Sequence, residues 1–359
     1  MAWRTTLLLA LVATRSIAAP AASSGFTYYN LKTPLAAPCD IDTGPDGAIY
    51  ADTFLSNKIV RIDPKSGVLT EYNIPYTLAP LPVPNFAALS AAQGRVAGSC
   101  VVRTGKDGKV YVATGIRNQM ARIDPNTKVV EVFNTGDPVQ NALGDLQPFN
   151  DGWPGETGMW FTMTTAGKLC LFDYVTTKTK CWTVPTPGSG ALGVQVASDK
   201  AVWITEMLSS KIGRFDPRNE TWTEYQLPAT AALPTVIRVE YLGKIWFTSL
   251  AGDSQVSIDI KTKAIQVFID DKTSPVALPN ENTLDRNGRI WFSTITTNSL
   301  NTYTPTTNQF GIIYQPGTVL NVGGTSVLPN GNISMHYDNG TNSIWFAGLA
   351  TNFVGKYQL

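Results

Sequence analysis

A phrase of the form G-x-(I/V)-(W/Y)-(F/V/I), then a short loop, a strand ending in R-I-D-P and a strand like T-E-Y-x-L-P, recurs along the chain. Two copies, GAIYADTFLSNKIVRIDPKSGVLTEYNIP from Gly47 and KAVWITEMLSSKIGRFDPRNETWTEYQLP from Lys200, match at almost every structural position. Such a unit cannot bury its apolar face alone, so copies must stack. The aromatic anchors Tyr50, Tyr111, Trp160, Trp203, Trp246, Trp291 and Trp345 mark seven copies. Each anchor sits in an alternating pattern bounded by Gly, Asp, Asn or Pro, the signature of short strands joined by tight turns. The expected fold is therefore all-β, a seven-bladed β-propeller with four strands to a blade.

The seventh copy stops at Val354-Gly355-Lys356-Tyr357, before its outer strand, while Phe26-Thr27-Tyr28-Tyr29-Asn30-Leu31 resembles the outer-strand motif. The N-terminal strand is thus expected to close the last blade and remove the open sheet edges. The Pro- and Ala-rich stretch from Tyr76 to Gly98 is read as an inserted loop across one face.

Residues 1–18 read as an export signal, with Arg4, the apolar stretch Leu7 to Val12 and the small-residue site Ser16-Ile17-Ala18. Residues 19–359 are then the propeller, released to the secretory lumen or outside the cell. No later segment approaches the roughly 18–20 apolar residues of a membrane span, so no membrane anchor is expected. With 28 Lys and Arg against 27 Asp and Glu and no basic block, the chain lacks the phosphate-neutralising field of a nucleic-acid binder.

Four cysteines in an exported chain suggest disulfides. Cys39 and Cys100 each lie eleven residues before their anchor, on equivalent inner strands of adjacent blades, and are expected to pair. Cys170 and Cys181 fall across a hairpin and make the second expected pair. Asn219, Asn332 and Asn339 begin Asn-x-Ser/Thr triplets and are candidate glycan acceptors.

The innermost strands line the channel of a propeller, so chemistry is sought there. Nine residues before the anchor stand Ile41, Val102, Val194, Ile237 and Asn282, a column read as packing into the blades. One step later Asp42, Arg103, Gln195, Arg238 and Thr283 are expected to face the channel, and one inserted residue brings His336, the single histidine, into the same column. Trp153 lies close by in the irregular third copy. Two readings stand: a solvated, hydrogen-bonded lining, or a site where Arg103, Arg238 and His336 hold an anionic oxygen and supply a proton while Asp42 tunes the arginines. On the loops past the anchors, Phe54, Met163, Met207, Leu250, Ile295 and Leu349 suggest an apolar entrance, and Glu206 a second candidate acid or base.

The W-F-T or W-I-T-E strand and the R-I-D-P turn resemble those of the virginiamycin B lyase family of seven-bladed propellers. Its bacterial lyases use magnesium with histidine and glutamate side chains at the channel mouth. Here the mouth positions Cys39, Cys100, Leu192, Thr235 and Asn280 hold no histidine pair, so neither streptogramin-type elimination nor a metal or other cofactor is expected. The same shortage of carboxylates argues against a calcium-dependent lactonase. In character the chain is similar to the fungal hetero-Diels–Alderases of tropolonic sesquiterpenoid pathways, which join a tropolone quinone methide to a humulene-type terpene. That resemblance implies small hydrophobic substrates, a metal-free pocket and His336 or Glu206 as an acid for dehydrating the precursor. The competing classes are a non-catalytic glycan- or protein-binding propeller and a metal-dependent lactonase or lyase.

Overall fold

The computed structural model describes residues 25–76, 98–115, 119–135, 149–270, 276–316, 321–322, 325–326 and 330–359. The export signal and most of the 76–98 insertion lie outside them. Seven four-stranded antiparallel sheets form the blades, with a two-stranded hairpin at 321–326 between the sixth and seventh. Inner strands begin at Pro38, Ser99, Phe149, Ala191, Pro234, Pro279 and Asn332, and the chain runs outward through each blade. Among the described residues no helix is long and apolar enough to cross a membrane.

The anchors explain why the blades stack. Each lies on a second strand and packs into one of seven apolar clusters, and each cluster joins two adjacent blades. Trp203 meets Ile237 and Phe247 of the fifth blade, and Trp345 meets Ile41 and Val60 of the first, so the ring closes through the same contact that builds it. Burying one such ring removes about 150–250 Å² from water. In several blades its polar tip is satisfied in the preceding turn, where Asp199 accepts from Trp203 Nε1 at 3.2 Å and Asp107 from the Tyr111 hydroxyl at 2.7 Å, whereas the buried Trp345 Nε1 has no such partner.

The N-terminal strand Phe26–Asn30 pairs antiparallel with Phe353–Gln358 and is the outer strand of the seventh blade. Phe26 and Leu31 are buried there, and Asn352 Nδ2 donates to the carbonyl of Leu31 at 3.1 Å. Both disulfides are present: Cys39–Cys100 links the inner strands of the first two blades, with Cα atoms 4.9 Å apart, and Cys170–Cys181 crosses a hairpin of the third at 4.1 Å.

A second repeat is written in the backbone. The residue before the inner strand is left-handed in six blades: Ala37, Gly98, Gly190, Leu233, Leu278 and Gly331, with φ from 53° to 67°. Five of the carbonyls at these positions accept an N–H from the blade's own rim loop, as from Phe54 to Ala37 at 2.8 Å and from Leu250 to Leu233 at 3.0 Å. Only glycine adopts this conformation without steric cost, so Ala37, Leu233 and Leu278 are held there by their surroundings.

Candidate functional site

Every inner strand whose pairing begins at its first residue carries a register shift against its neighbour, as between Pro38 and Ile41 or Pro279 and Asn282. Strand alternation turns side chains both eight and ten residues before the anchor inward. The channel therefore holds a layer the eight-before column does not reveal. Asp40 and Glu281, ten before their anchors, join Asp151 of the third blade around Arg103 and Arg238.

Arg103 lies 2.9 Å from Asp40, 3.4 Å from Asp151 and 3.5 Å from Glu281, and its Nε donates to the carbonyl of Gly152 at 3.1 Å. Arg238 reaches Asp151 at 2.9 Å and Asp40 at 3.4 Å, and touches Glu281. All five side chains are 10 % exposed or less. Burial works against the charge of Arg103, but the three carboxylates outweigh it and hold its pKa above the ordinary arginine value. Burial drives Asp151 and Glu281 well above the usual carboxylate range, and Asp40 pushes both further.

Behind Asp40, Asp52 accepts from the Asp40 backbone N–H at 2.8 Å and from Ser99 Oγ at 2.6 Å. Burial and the neighbouring Asp40 raise it to about 7. The expected anion-binding arginine pair is thereby corrected. Two guanidiniums face three carboxylates and are already neutralised, so neither is free to hold a substrate oxygen. The cluster is a plug across the channel, and burial and mutual repulsion raise the proton affinity of its carboxylates.

Above the plug, Cys39, Cys100, Leu192, Val236, Asn280 and Ile333 surround a cavity of about 60 Å³ floored by Asp40, Arg238, Glu281 and Ser334. Val236, not Thr235, points here. One extra shift in the fifth blade's inner strand, between Ile237 and Val239, displaces the column by one, and Thr235 Oγ1 donates instead to the carbonyl of Asn280 at 2.8 Å. The ring is apolar apart from Asn280, whose Nδ2 donates to the carbonyl of Ile333 at 2.7 Å. Phe54, Met207, Leu250, Ile295 and Leu349 are half-buried on the rim loops around it.

Other sequence candidates fall elsewhere. Met163 is 5 % exposed and packs with Val101, Tyr111 and Phe161 between the second and third blades, so it is core and not entrance. Glu206 is fully buried at the end of its strand, with Ser209 Oγ donating to it at 3.0 Å. Burial and nearby Glu224 raise it to about 7, but its carboxyl lies over Gly213, within the blade and away from the mouth. Trp153 is half-buried against Trp160 and its cluster. Asn332 is fully buried on an inner strand and cannot carry a glycan in the folded protein, whereas Asn219 and Asn339 are exposed on turns.

Below the plug lie Asp42, Gln195, Thr283 and His336. Thr283 Oγ1 accepts the Tyr337 N–H at 3.1 Å, and Gln195 is 3 % exposed with its Oε1 lacking a hydrogen-bond donor. His336 Nε2 is 2.8 Å from Thr43 Oγ1, and its Nδ1 is 3.5 Å from Asp42. Burial holds the imidazole below its ordinary pKa, the Arg103 charge pushes the same way, and Asp42 opposes.

A family model described as the virginiamycin B lyase family matches residues 84–313. The chain belongs to this family. The virginiamycin B lyase of Staphylococcus aureus superposes with a TM-score of 0.75 at 20 % identity, over 93 % of this chain and 99 % of that one. A streptogramin B lyase gives a TM-score of 0.74 at 20 % identity, covering 92 % of this chain and 96 % of that one. A catalytically inactive variant of the S. aureus enzyme with quinupristin also matches, at 0.75, 20 % identity and the same coverage as the first. Comparison with curated protein sequences gave no match.

The magnesium of the bacterial lyases does not fit these residues. Magnesium needs hard oxygen ligands in near-octahedral array. The mouth offers a disulfide, three aliphatic side chains and one amide, and the carboxylates beneath are committed to the arginines. Among the described residues no three His, Cys, Asp or Glu side chains are grouped to hold an ion.

Proposed function

We propose that this member of the virginiamycin B lyase family is a metal-independent hetero-Diels–Alderase of the secretory pathway, joining a tropolone quinone methide to a humulene-type sesquiterpene. The observation that carries this reading is the upper mouth, an apolar ring of Leu192, Val236, Ile333 and the Cys39–Cys100 disulfide over ionisable groups that neutralise one another. A cycloaddition of this kind forms one C–C and one C–O bond with no net movement of protons or electrons. It asks for orientation and exclusion of water, and positioning alone supplies up to about 7–11 kcal/mol of such a barrier.

The cavity of about 60 Å³ is far below the roughly 300–1,000 Å³ of a ligand pocket, so the reactants belong above it, among the rim side chains. Asn280, the polar member of the ring, is the residue assigned to a tropolone oxygen. The disulfides fit an oxidising compartment.

The test is adduct formation from a hydroxymethyl tropolone and a humulene-type alcohol, followed with chiral separation after dialysis against EDTA. Wild type should accelerate the reaction and give one stereoisomer. Ile333→Asp, which puts a charge in the apolar ring, should lower turnover about ten- to hundredfold. Absence of acceleration and stereocontrol overturns the reading in favour of a binding propeller; activity that returns only with added magnesium overturns the metal-independent part.

A further inference from the structure

The lower end of the channel carries an arrangement that the upper mouth does not use. Thr43 ends the inner strand of the first blade and reaches across the seam to the seventh. Its Oγ1 stands 2.8 Å from His336 Nε2, and Asp42 Oδ1 stands 3.5 Å from the other ring nitrogen. Hydroxyl, imidazole and carboxylate are therefore in the order of a nucleophile, its base and the group that orients the base. We propose that Thr43, His336 and Asp42 form a second, hydrolytic site that takes small uncharged acyl esters.

Each member is held for its part. The Asp42 carboxylate is fixed by the Thr104 N–H, which donates to Oδ2 at 2.7 Å and leaves Oδ1 turned to the ring. An N–H on Nδ1 toward Asp42 leaves Nε2 with its lone pair toward the threonine hydroxyl, the tautomer a general base requires. The surroundings favour the neutral imidazole. Asp338 Oδ1 lies 3.1 Å from the same hydroxyl and is a second acceptor for its one proton; once Nε2 is protonated the imidazole donates to the Thr43 oxygen and the hydroxyl donates to Asp338. The His336 and Asp42 side chains are 22 % and 19 % exposed, so this level is partly reached by solvent, unlike the plug above it. Gln195, at the same register on the fourth blade, has an unsatisfied amide oxygen in a buried setting, as a level built around a polar guest would show. The carboxylates Asp42 and Asp338 stand beside the ring and the hydroxyl and disfavour anions there, hence the restriction to uncharged esters.

In the acylation step Thr43 Oγ1 attacks the ester carbonyl as His336 Nε2 takes the hydroxyl proton. The C–O bond to the alcohol then breaks, the alcohol oxygen takes that proton, and an acyl-threonine remains. Water repeats the sequence, releasing the acid and restoring Thr43. No cofactor or oxidant is required.

The experiment uses the mature chain with p-nitrophenyl acetate and butyrate, and acid-quenched peptide mass spectrometry for an acyl group on Thr43. Wild type should release nitrophenol with a rate that rises as the imidazole deprotonates. Thr43→Val and His336→Gln should each lower the protein-dependent rate about 100-fold or more, and Thr43→Ser should retain or raise it. An acyl adduct on the Thr43 peptide supports the proposal. Hydrolysis by Thr43→Val at the wild-type rate, or wild type no faster than His336→Gln with no adduct, overturns it. Cycloaddition at the upper mouth should persist in Thr43→Val, which separates this proposal from the previous one.

Discussion

Replacing Arg103 by Met tests whether the channel plug is an interlocked charge cluster. The side chain is 5 % exposed, contacts Asp40, Asp151 and Glu281, and donates to the carbonyls of Gly152 and Val102. Methionine keeps much of the stem volume but leaves three carboxylates around Arg238 alone. Removing one partner of a buried ion pair costs about 3–5 kcal/mol, because the remaining charge stays desolvated. With a urea slope of about 3 kcal/mol per M, the unfolding midpoint at pH 7.5 should fall by about 1 M or more.

The same variant makes a pH prediction whose sign follows from the raised carboxylates. Asp151 and Glu281 bind a proton more tightly folded than unfolded, so their contribution is complete below the unfolded carboxylate pKa and is lost as pH rises through the folded values. Loss of the guanidinium raises those folded values further. The deficit of Arg103→Met should therefore shrink between pH 7.5 and pH 5. Equilibrium urea unfolding at the two pH values measures both quantities. A midpoint equal to wild type at pH 7.5, or a deficit that grows on acidification, would refute the charge-cluster account.

Two further outcomes are expected. A chain beginning at Lys32 loses the strand that pairs with Phe353–Gln358 and exposes Phe346 and Tyr357, which pack on Phe26, so it should aggregate on refolding; a monodisperse product with the thermal midpoint of the mature chain would contradict this. Glycopeptide mapping after secretion from a eukaryotic host should find sugar at Asn219 and Asn339 and none at Asn332, and an occupied Asn332 would show that its strand is not an inner one.

The blades were legible because each anchor and outer strand is a local pattern repeated seven times, and the disulfides followed from equal distances to the anchors for one pair and from a hairpin for the other. The plug was not. Its partners lie 43 to 198 residues apart, and nothing local to Arg103 or Arg238 says that Asp40, Asp151 and Glu281 converge on them. One signal was available: strand alternation from the eight-before column also turns the ten-before column inward, where Asp40 and Glu281 stand. Glu206 looked like a rim group because it ends its strand, but its side chain turns back over Gly213, where the missing Cβ leaves room for the carboxyl.

The left-handed residues before the inner strands bear on how such a protein changes over evolutionary time. Five of them tie a rim loop to the base of their own blade through a backbone bond, independent of side-chain identity at either end. Loop length and sequence beyond that tie can then vary without disturbing the channel wall. The insertion after Tyr76 re-enters the fold at Gly98, whose N–H is bonded to the Phe54 carbonyl at 3.0 Å. The rim is in this sense a set of exchangeable parts on fixed mounts, and new substrates can be accommodated one blade at a time while the plug beneath stays as it is.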